Sequence, residues 1–114
     1  MSEIFGLNDA QRALVQKILL TAQDHIEQVA VFGSRAQGNQ RQNSDLDIVL
    51  YGSADEAVCD RLWTLFHESS LSCAVDVTIY AAIKHPPLRV HIDAVARPWF
   101  VRAGQGLKEI AQQA

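Results

Sequence analysis

The first regular pattern along the chain is helical, with apolar residues recurring every three or four positions. These residues are Leu7, Ala10, Leu14, Val15, Ile18 and Leu19. Because residues at that spacing share one face of a helix, the pattern predicts an amphipathic helix over roughly 8–23. Asn8 or Asp9 is available to cap its start. We interpret this helix as part of the scaffold.

Three short segments have the pattern of strands instead. IEQVAVFG alternates apolar and polar residues before a turn at Gly33, and DLDIVLYG ends in the same way at Gly52. The run AVDVTIY is short and rich in β-branched residues. This composition favours a third strand, which lies inside or beside the other two.

Further helical patterns alternate with the strands and follow them. Residues 54–69 repeat apolar side chains along one stripe, on which Trp63 and Phe66 are expected to be core residues. LRVHIDAVA has a similar pattern, which Pro98 ends. The last segment, PWFVRAGQGLKEIAQQA, is expected to form a short strand and then a frayed helix. For Trp99 and Phe100 we favour a place in the core over a partner surface.

The order helix, strand, strand, helix, strand predicts an α/β fold. We expect a small mixed β-sheet with helices packed on one face. A length of 114 residues suits one compact domain and is short for two. The whole chain, residues 1–114, is therefore treated as a single domain.

Composition limits the possible partners and compartments. The net charge is −3 and the ten Lys and Arg residues are scattered, so there is no direct evidence for nucleic-acid binding. Cys59 and Cys73 form no CxxC pair, which favours free thiols in a reducing compartment. No stretch approaches the ~18 apolar residues of a membrane span, and no basic, apolar leader is visible. We expect a cytoplasmic protein with no membrane contact.

Three carboxylates stand out because strand geometry would bring them together. Asp45 and Asp47 are two residues apart, so a strand directs both to the face opposite Leu46 and Ile48. Asp76 likewise alternates with apolar neighbours in VDVTIY. If the two strands are neighbours, burial of their apolar faces sets the register and the three aspartates converge. Carboxylates this close are usually neutralised by a hard divalent cation, above all Mg²⁺.

Each aspartate also has a simpler interpretation. Asp45 follows the turn residues Asn43 and Ser44 and could merely begin a strand. A lone carboxylate such as Asp76 in an apolar strand usually lies on the solvent face of an edge strand. The turn interpretation explains Asp45 but leaves Asp47 and Asp76 unexplained.

Gly33 and Ser34 follow an apolar strand and form the second candidate element. A glycine there lets the backbone approach a ligand closely. The next N–H groups and the Ser34 hydroxyl can hold phosphate oxygens. A Gly-Ser dipeptide by itself predicts nothing. It is a candidate here because of its spacing from Asp45, Asp47 and Asp76.

The run FGSRAQGNQRQNSDLDIVLYG resembles the signature of the DNA polymerase beta-like nucleotidyltransferase superfamily. The GSRA opening and the short length resemble the minimal nucleotidyltransferase branch, prokaryotic domains commonly encoded beside a small helical HEPN-type or substrate-binding partner. IKHPPLRVHI is also similar to that branch, so the resemblance spans roughly residues 28–93. It implies a metal-dependent enzyme that moves a nucleoside monophosphate from ATP or another NTP to an acceptor hydroxyl.

The resemblance also implies roles for single residues. Asp45, Asp47 and Asp76 would be the catalytic, metal-binding carboxylates, with two Mg²⁺ ions at the site. Gly33 and Ser34 would hold the triphosphate at the start of a short helix, SRAQG. Arg35 would pair with phosphate, although a role as the structural partner of a strand-end carboxylate is an equal alternative.

The acceptor is normally held by a second domain, which this chain is too short to contain. A HEPN-type partner, which could itself be the acceptor, or a homo-oligomer would complete the site. Many members of the branch are antitoxins of toxin–antitoxin pairs. The alternative function is therefore a non-catalytic antitoxin or nucleotide-binding module that occludes its partner.

Overall fold

The computed structural model describes residues 3–112, which form one five-stranded mixed sheet with four helices. The helices and strands, in chain order, are α1 (Asp9–Leu20), β1 (Gln28–Phe32), α2 (Ser34–Gln37), β2 (Leu46–Tyr51), α3 (Glu56–His67), β3 (Val75–Ile79), α4 (Pro86–Val95), β4 (Arg97–Ala103) and β5 (Gly106–Glu109). The elements predicted up to residue 97 are confirmed, with ends shifted by a few residues. The expected α/β class with a small mixed sheet is confirmed as well.

Local signals in the sequence account for the helix starts. The Asn8 side chain accepts a hydrogen bond from the Gln11 backbone, and the Gln11 side chain accepts one from the Asn8 backbone. This reciprocal capping box satisfies two N–H groups that the first turn of α1 leaves free. Asp55 caps α3 through Val58 N–H, and Pro86 stands in the first turn of α4.

The strands follow the order β3-β2-β1-β4-β5. β2 is central to the site because it pairs antiparallel with β1 and parallel with β3. The parallel pair needs a crossover, which α3 supplies. The main core lies between one face of this sheet and helices α1 and α3, and Ile48 and Leu50 of β2 are fully or almost fully buried in it.

Helix α4 departs from the expected placement of all helices on one face. Its Ile92 is completely buried in a second, smaller cluster with Ala30, Phe32 and Val49. Phe32 pairs with Asp47 in the ladder, and Val49 is two residues from Asp47 along β2, so both lie on the aspartate face. α4 therefore covers the far part of that face and leaves the aspartate end open.

The C-terminal segment is a hairpin, and the frayed helix expected there is wrong. β4 and β5 pair antiparallel across a two-residue connection in which Gly104 has a φ of 61°. A glycine at such a position suits a tight hairpin turn, and this signal outweighs the helical spacing of the residues after it. Trp99 and Phe100 are fully buried, as expected, and the Trp99 indole donates to Glu109 at 2.9 Å.

Helix length and cysteine pairing can also be compared with the sequence. Within residues 3–112, every helix is too short or too polar to cross a membrane. Cys59 and Cys73 are both free thiols, as expected.

Candidate active site

Asp47 and Asp76 lie side by side on adjacent strands. They are direct partners in the parallel ladder between β2 and β3. Residues directly opposite each other point to the same face of the sheet, and here that face is the one away from the main core. The Asp76 carboxylate is close enough to raise the pKa of the Asp47 carboxyl group. Two acidic residues that are distant in the sequence are thus neighbours on one face of the sheet.

This crowding changes the acidity of Asp47. Its pKa is raised from the usual 3.8 to about 6, first by burial and then by the nearby carboxylates of Asp76 and Asp45. Each of these causes disfavours the ionised form. The ionised carboxylates therefore repel each other, and a bound cation would reduce that repulsion.

Asp45 lies at the edge of this pair. It is exposed and stands immediately before the first residue of β2. It still contributes to the raised pKa of Asp47. The backbone N–H of Leu46 donates to Ala74 at 2.8 Å, which fixes the chain just after Asp45. Asp45 thus flanks the pair from the loop.

Gly33 closes the opposite side of Asp47. It follows β1 with a φ of 74° and a ψ of −156°, a conformation that side-chain-bearing residues avoid. A Cβ atom there would fall on the Asp47 carboxylate. Ser34 follows as the first residue of the four-residue helix α2, as expected for SRAQG. The glycine therefore permits both the turn and the approach of the backbone to Asp47.

Arg35 is a correction to the expected phosphate contact. Its side chain is buried, and its guanidinium donates to Ser44 O at 2.8 and 3.1 Å and to Phe5 O at 2.8 Å. An arginine engaged with backbone carbonyls in this way acts as a structural support. It joins α2 to the loop that carries Asp45, so the structural alternative describes it better, with carbonyls in place of a strand-end carboxylate.

The carboxylates can be compared with the ligand set that a metal ion needs. Within residues 3–112, no group of three or more His, Cys, Asp or Glu side chains is arranged closely enough to hold a metal ion. Asp47 and Asp76 nevertheless fit a hard divalent cation, because they offer paired oxygen ligands whose mutual repulsion a cation would remove. Further ligands would come from Asp45 and the phosphate oxygens of a nucleotide.

A cavity of about 310 Å³ lies where the end of α3 meets the start of β3, and Asp76 is among the residues that line it. Trp63, Phe66 and His67 of α3 form part of its wall. Phe66 is buried, but Trp63 is 53% exposed, so its expected place in the core is wrong. The buried stripe of α3 runs through Val58, Leu62 and Phe66, and Trp63 lies about 100° around the helix from Leu62. This angular offset can be obtained from the sequence, and it indicates that Trp63 lies outside the buried stripe.

Comparison with known structures agrees with the fold. The chain is similar to a protein of a toxin–antitoxin structure with AMP-PNP, with a TM-score of 0.59 and 23% identity over 81% of this chain and 72% of that one. It is similar to a protein of a mutant toxin–antitoxin MntA-HpeT structure, with a TM-score of 0.64 and 21% identity over 84% and 74%. For a putative nucleotidyltransferase from Sulfolobus solfataricus the TM-score is 0.50 and the identity 18%, over 87% and 86%.

The family assignment follows from the sequence match. No curated protein sequence matches the chain. The model of the family described as polymerase beta, nucleotidyltransferase, matches residues 15–99, which is well over half of the chain and includes Gly33 and all three aspartates. The resemblance to the superfamily seen in the sequence is confirmed: this chain belongs to the polymerase beta nucleotidyltransferase family.

Proposed function

We propose that the chain transfers a nucleoside monophosphate from ATP or another nucleoside triphosphate to an acceptor hydroxyl. The observation that supports this most is the Asp47–Asp76 pair beside the Gly33 turn. The acceptor oxygen bonds to the α-phosphorus while the bond to the pyrophosphate oxygen breaks. Pyrophosphate leaves with the electron pair of that bond, and the hydroxyl proton passes to a carboxylate or to solvent.

The residues have distinct parts in this scheme. Gly33 and Ser34 hold the terminal phosphates at the start of α2, on the β1 side of Asp47. Asp47 and Asp45 hold the nucleotide end of the cation site, and Asp76 faces the acceptor. Arg35 acts indirectly, since its bonds to Ser44 O set the position of Asp45.

Two Mg²⁺ ions are the cofactors we propose for Asp45, Asp47 and Asp76. When bound, such ions neutralise phosphate charge and lower the pKa of an attacking hydroxyl. Asp47 must lose its proton to take part, and its raised pKa of about 6 allows this at neutral pH.

A protein partner supplies the rest of the acceptor site in this proposal. Two of the structural neighbours are proteins of toxin–antitoxin structures, one of them described with AMP-PNP. We therefore propose a small helical partner of HEPN type, encoded beside this chain, as acceptor or as acceptor-binding subunit. The chain then acts as an enzymatic antitoxin in the cytoplasm.

The test is nucleotide transfer to the product of the neighbouring gene. The chain is incubated with α-labelled ATP, Mg²⁺ and that product, and label on the protein is measured. We expect label with the wild type and none with Asp76→Asn, because this change removes a ligand charge at nearly constant shape. Asp60→Asn, an exposed carboxylate of α3, is the matched control and should transfer like the wild type.

The same variants separate catalysis from occlusion. Inhibition of the partner's activity is measured beside label transfer. Loss of both in Asp76→Asn supports an enzymatic antitoxin. Full inhibition by Asp76→Asn would reject it and favour a module that only covers its partner.

A further inference from the structure

The outer edge of β3 has open space beside it. β3 is an edge strand, and no strand among residues 3–112 pairs with its outer side. A cavity of about 330 Å³ borders Val77–Ile79, and the cavity at the end of α3 borders Ala74–Asp76. The first cavity is lined by Cys59 of α3 and by Leu88 of α4, two helices on opposite faces of the sheet. A space between residues of both faces lies at the edge itself.

Alternation along β3 determines which of its backbone groups face this space. Leu46 N–H donates to Ala74 O at 2.8 Å, so the backbone groups of Ala74 and of every second residue after it turn towards β2. The residues between them, whose backbone groups turn outwards, are Val75, Val77 and Ile79. The weak thiol donor Cys59 Sγ lies 3.5 Å from Val77 O, which agrees with this direction. The edge thus directs N–H and C=O groups away from β2.

The opposite edge of the sheet, β5, is better protected. The Gln16 side chain of α1 donates to Leu107 O at 2.6 Å, and Lys108 stands within this four-residue strand. Covering groups, charged side chains and short strands are the usual protection of sheet edges against pairing. β3 contains no Lys, Arg or Pro. Of the two edges, that of β3 is therefore the one suited to accept another strand.

The sequence of β3 suits pairing with a second copy of itself. In an antiparallel pair centred on Val77, Val75 lies opposite Ile79, so every outward residue of one copy meets an outward residue of the other. On the aspartate face, Asp76 lies opposite Thr78 of the second copy. The two Asp76 residues are diagonal neighbours, about 7 to 8 Å apart. No like charges therefore stand directly opposite each other across the pair.

An exposed aromatic side chain lies beside the same edge. Trp63 is 53% exposed and lines the cavity that borders Ala74–Asp76. In the antiparallel pair, the start of one β3 lies beside the end of the other, which Glu56 and Cys59 border. Trp63 of each copy thus comes next to the start of α3 of the other. Burial of an indole there adds apolar contact to the strand pairing.

We propose that the outer edge of β3 docks a second copy of this chain and joins the two sheets into one. The two-fold axis passes through the Val77 pair perpendicular to the sheet, so the carboxylate sites of both copies open on the same face. Thr78 of the second copy stands beside Asp76 and adds its hydroxyl group to the border of the site. This inference goes beyond the proposed function and does not depend on nucleotide transfer.

Sedimentation velocity of the wild-type chain tests the dimer first. We expect a species of twice the 12.6 kDa of one chain, which dissociates on dilution. Thr78→Asp places a carboxylate opposite Asp76 of the other copy, twice in each dimer, and should raise the dissociation constant about tenfold. The neutral variant Thr78→Asn should stay within about threefold of the wild type. Gln105→Glu adds the same charge at the exposed hairpin beside β5 and is the control.

Hydrogen exchange locates the interface without any variant. The amide protons of Val77 and Ile79 point outwards in the monomer and donate across the pair in the dimer. Their exchange should therefore slow at least about tenfold when the wild type is concentrated from below to above its dissociation constant. The amide of Leu107 at the β5 edge should not change. This measurement decides the matter if circular dichroism shows that Thr78→Asp does not fold.

Three results would overturn the proposal. The first is a chain that stays monomeric at about 100 µM, and the second is a dimer in which the Val77 amide gains no protection. The third is equal weakening by Thr78→Asp and Gln105→Glu, which would indicate general charge repulsion. A monomer that still labels the partner protein keeps the proposed function and rejects the dimer. A dimer with the expected protection but without transfer keeps the interface and rejects the proposed function.

Discussion

Asp47 shows how the environment changes what one residue does. The same carboxylate on an exposed loop would be an ordinary acid, whereas here it is partly buried beside Asp76 and Asp45. Arg35 shows the converse, since a residue that the sequence predicted to contact phosphate instead donates to the carbonyls of Ser44 and Phe5. Residue type defines the possible chemistry, and contacts select one possibility.

The raised pKa of Asp47 predicts a pH-dependent stability in the absence of metal. Its folded-state pKa of about 6 exceeds the usual 3.8, so the folded protein binds the proton more tightly than the unfolded chain. Ionisation then costs folding free energy, and this cost is absent below the unfolded pKa and fully present above about pH 6. We compare the free energies of unfolding of Asp47→Asn and the wild type by urea unfolding in EDTA. The difference in favour of Asp47→Asn should be larger at pH 7.5 than at pH 4 by about 1 to 2 kcal/mol, a value reduced for the partial exposure of the group.

Exposed Asp60 provides the comparison for this prediction. Asp60→Asn should keep the same difference from the wild type at both pH values. An Asp47→Asn gain that does not change with pH would show that Asp47 is not destabilised by its own charge.

At the scale of elements, the turn between β1 and α2 joins two requirements. It must reverse the chain after a buried strand, and it must leave room for the carboxylate of the neighbouring strand. Gly33 meets both, with a positive φ and with no Cβ to strike Asp47. Strand pairing explains the contact, since Phe32 of β1 is the ladder partner of Asp47.

Gly33→Ala should therefore damage both the fold and the site. We expect a loss of about 1 to 3 kcal/mol in the free energy of unfolding, because the backbone conformation is one that only glycine adopts readily. We also expect Mg·ATP binding to weaken at least about tenfold, ~1.4 kcal/mol, because the new methyl group displaces the Asp47 carboxylate. Urea unfolding and calorimetric titration measure the two effects.

Gly38→Ala is the matched variant at the other end of α2. Gly38 also has a positive φ, 77°, but a Cβ there would meet no atom within 4 Å. It should lose only about 1 kcal/mol of stability and keep nucleotide affinity. Equal losses of affinity in the two variants would show that contact with Asp47 is not the reason for glycine at 33.

For the whole molecule, net charge and site charge have the same sign. The chain carries a net charge of −3, and three aspartates stand at the open end of one sheet face. The part of that face farther from the aspartates is closed by α4, which packs Ile92 against Phe32 and Val49. The molecule thus presents an acidic opening to the nucleoside triphosphate that we propose as its substrate, which is itself an anion.

Nucleotide binding should consequently depend on a divalent cation. ATP titrated calorimetrically into the protein with Mg²⁺ should bind at least about tenfold more tightly than ATP titrated in EDTA, a difference of ~1.4 kcal/mol or more. The reason is that a triphosphate and the carboxylate pair repel each other until a cation lies between them. Equal affinities would mean that the phosphates are held away from Asp47 and Asp76.

The sequence by itself determined the local features of this protein. Helix caps, the alternation in β2 and β3 and the glycine after β1 act over a few residues, so the elements up to residue 97, the shared face of Asp47 and Asp76 and the family could be predicted. Only the tertiary structure decided that β2 lies between β1 and β3, with the Gly33 turn against Asp47 and with Asp76 beside Asp47 on the neighbouring strand. It also turned Arg35 inward, left Trp63 exposed and folded the last segment into a hairpin. These outcomes depend on residues far apart in the sequence: which carbonyls accept hydrogen bonds from Arg35, which side chains pack on Trp63 and which strand pairs with β4. The spacing of residues along the chain does not contain that information.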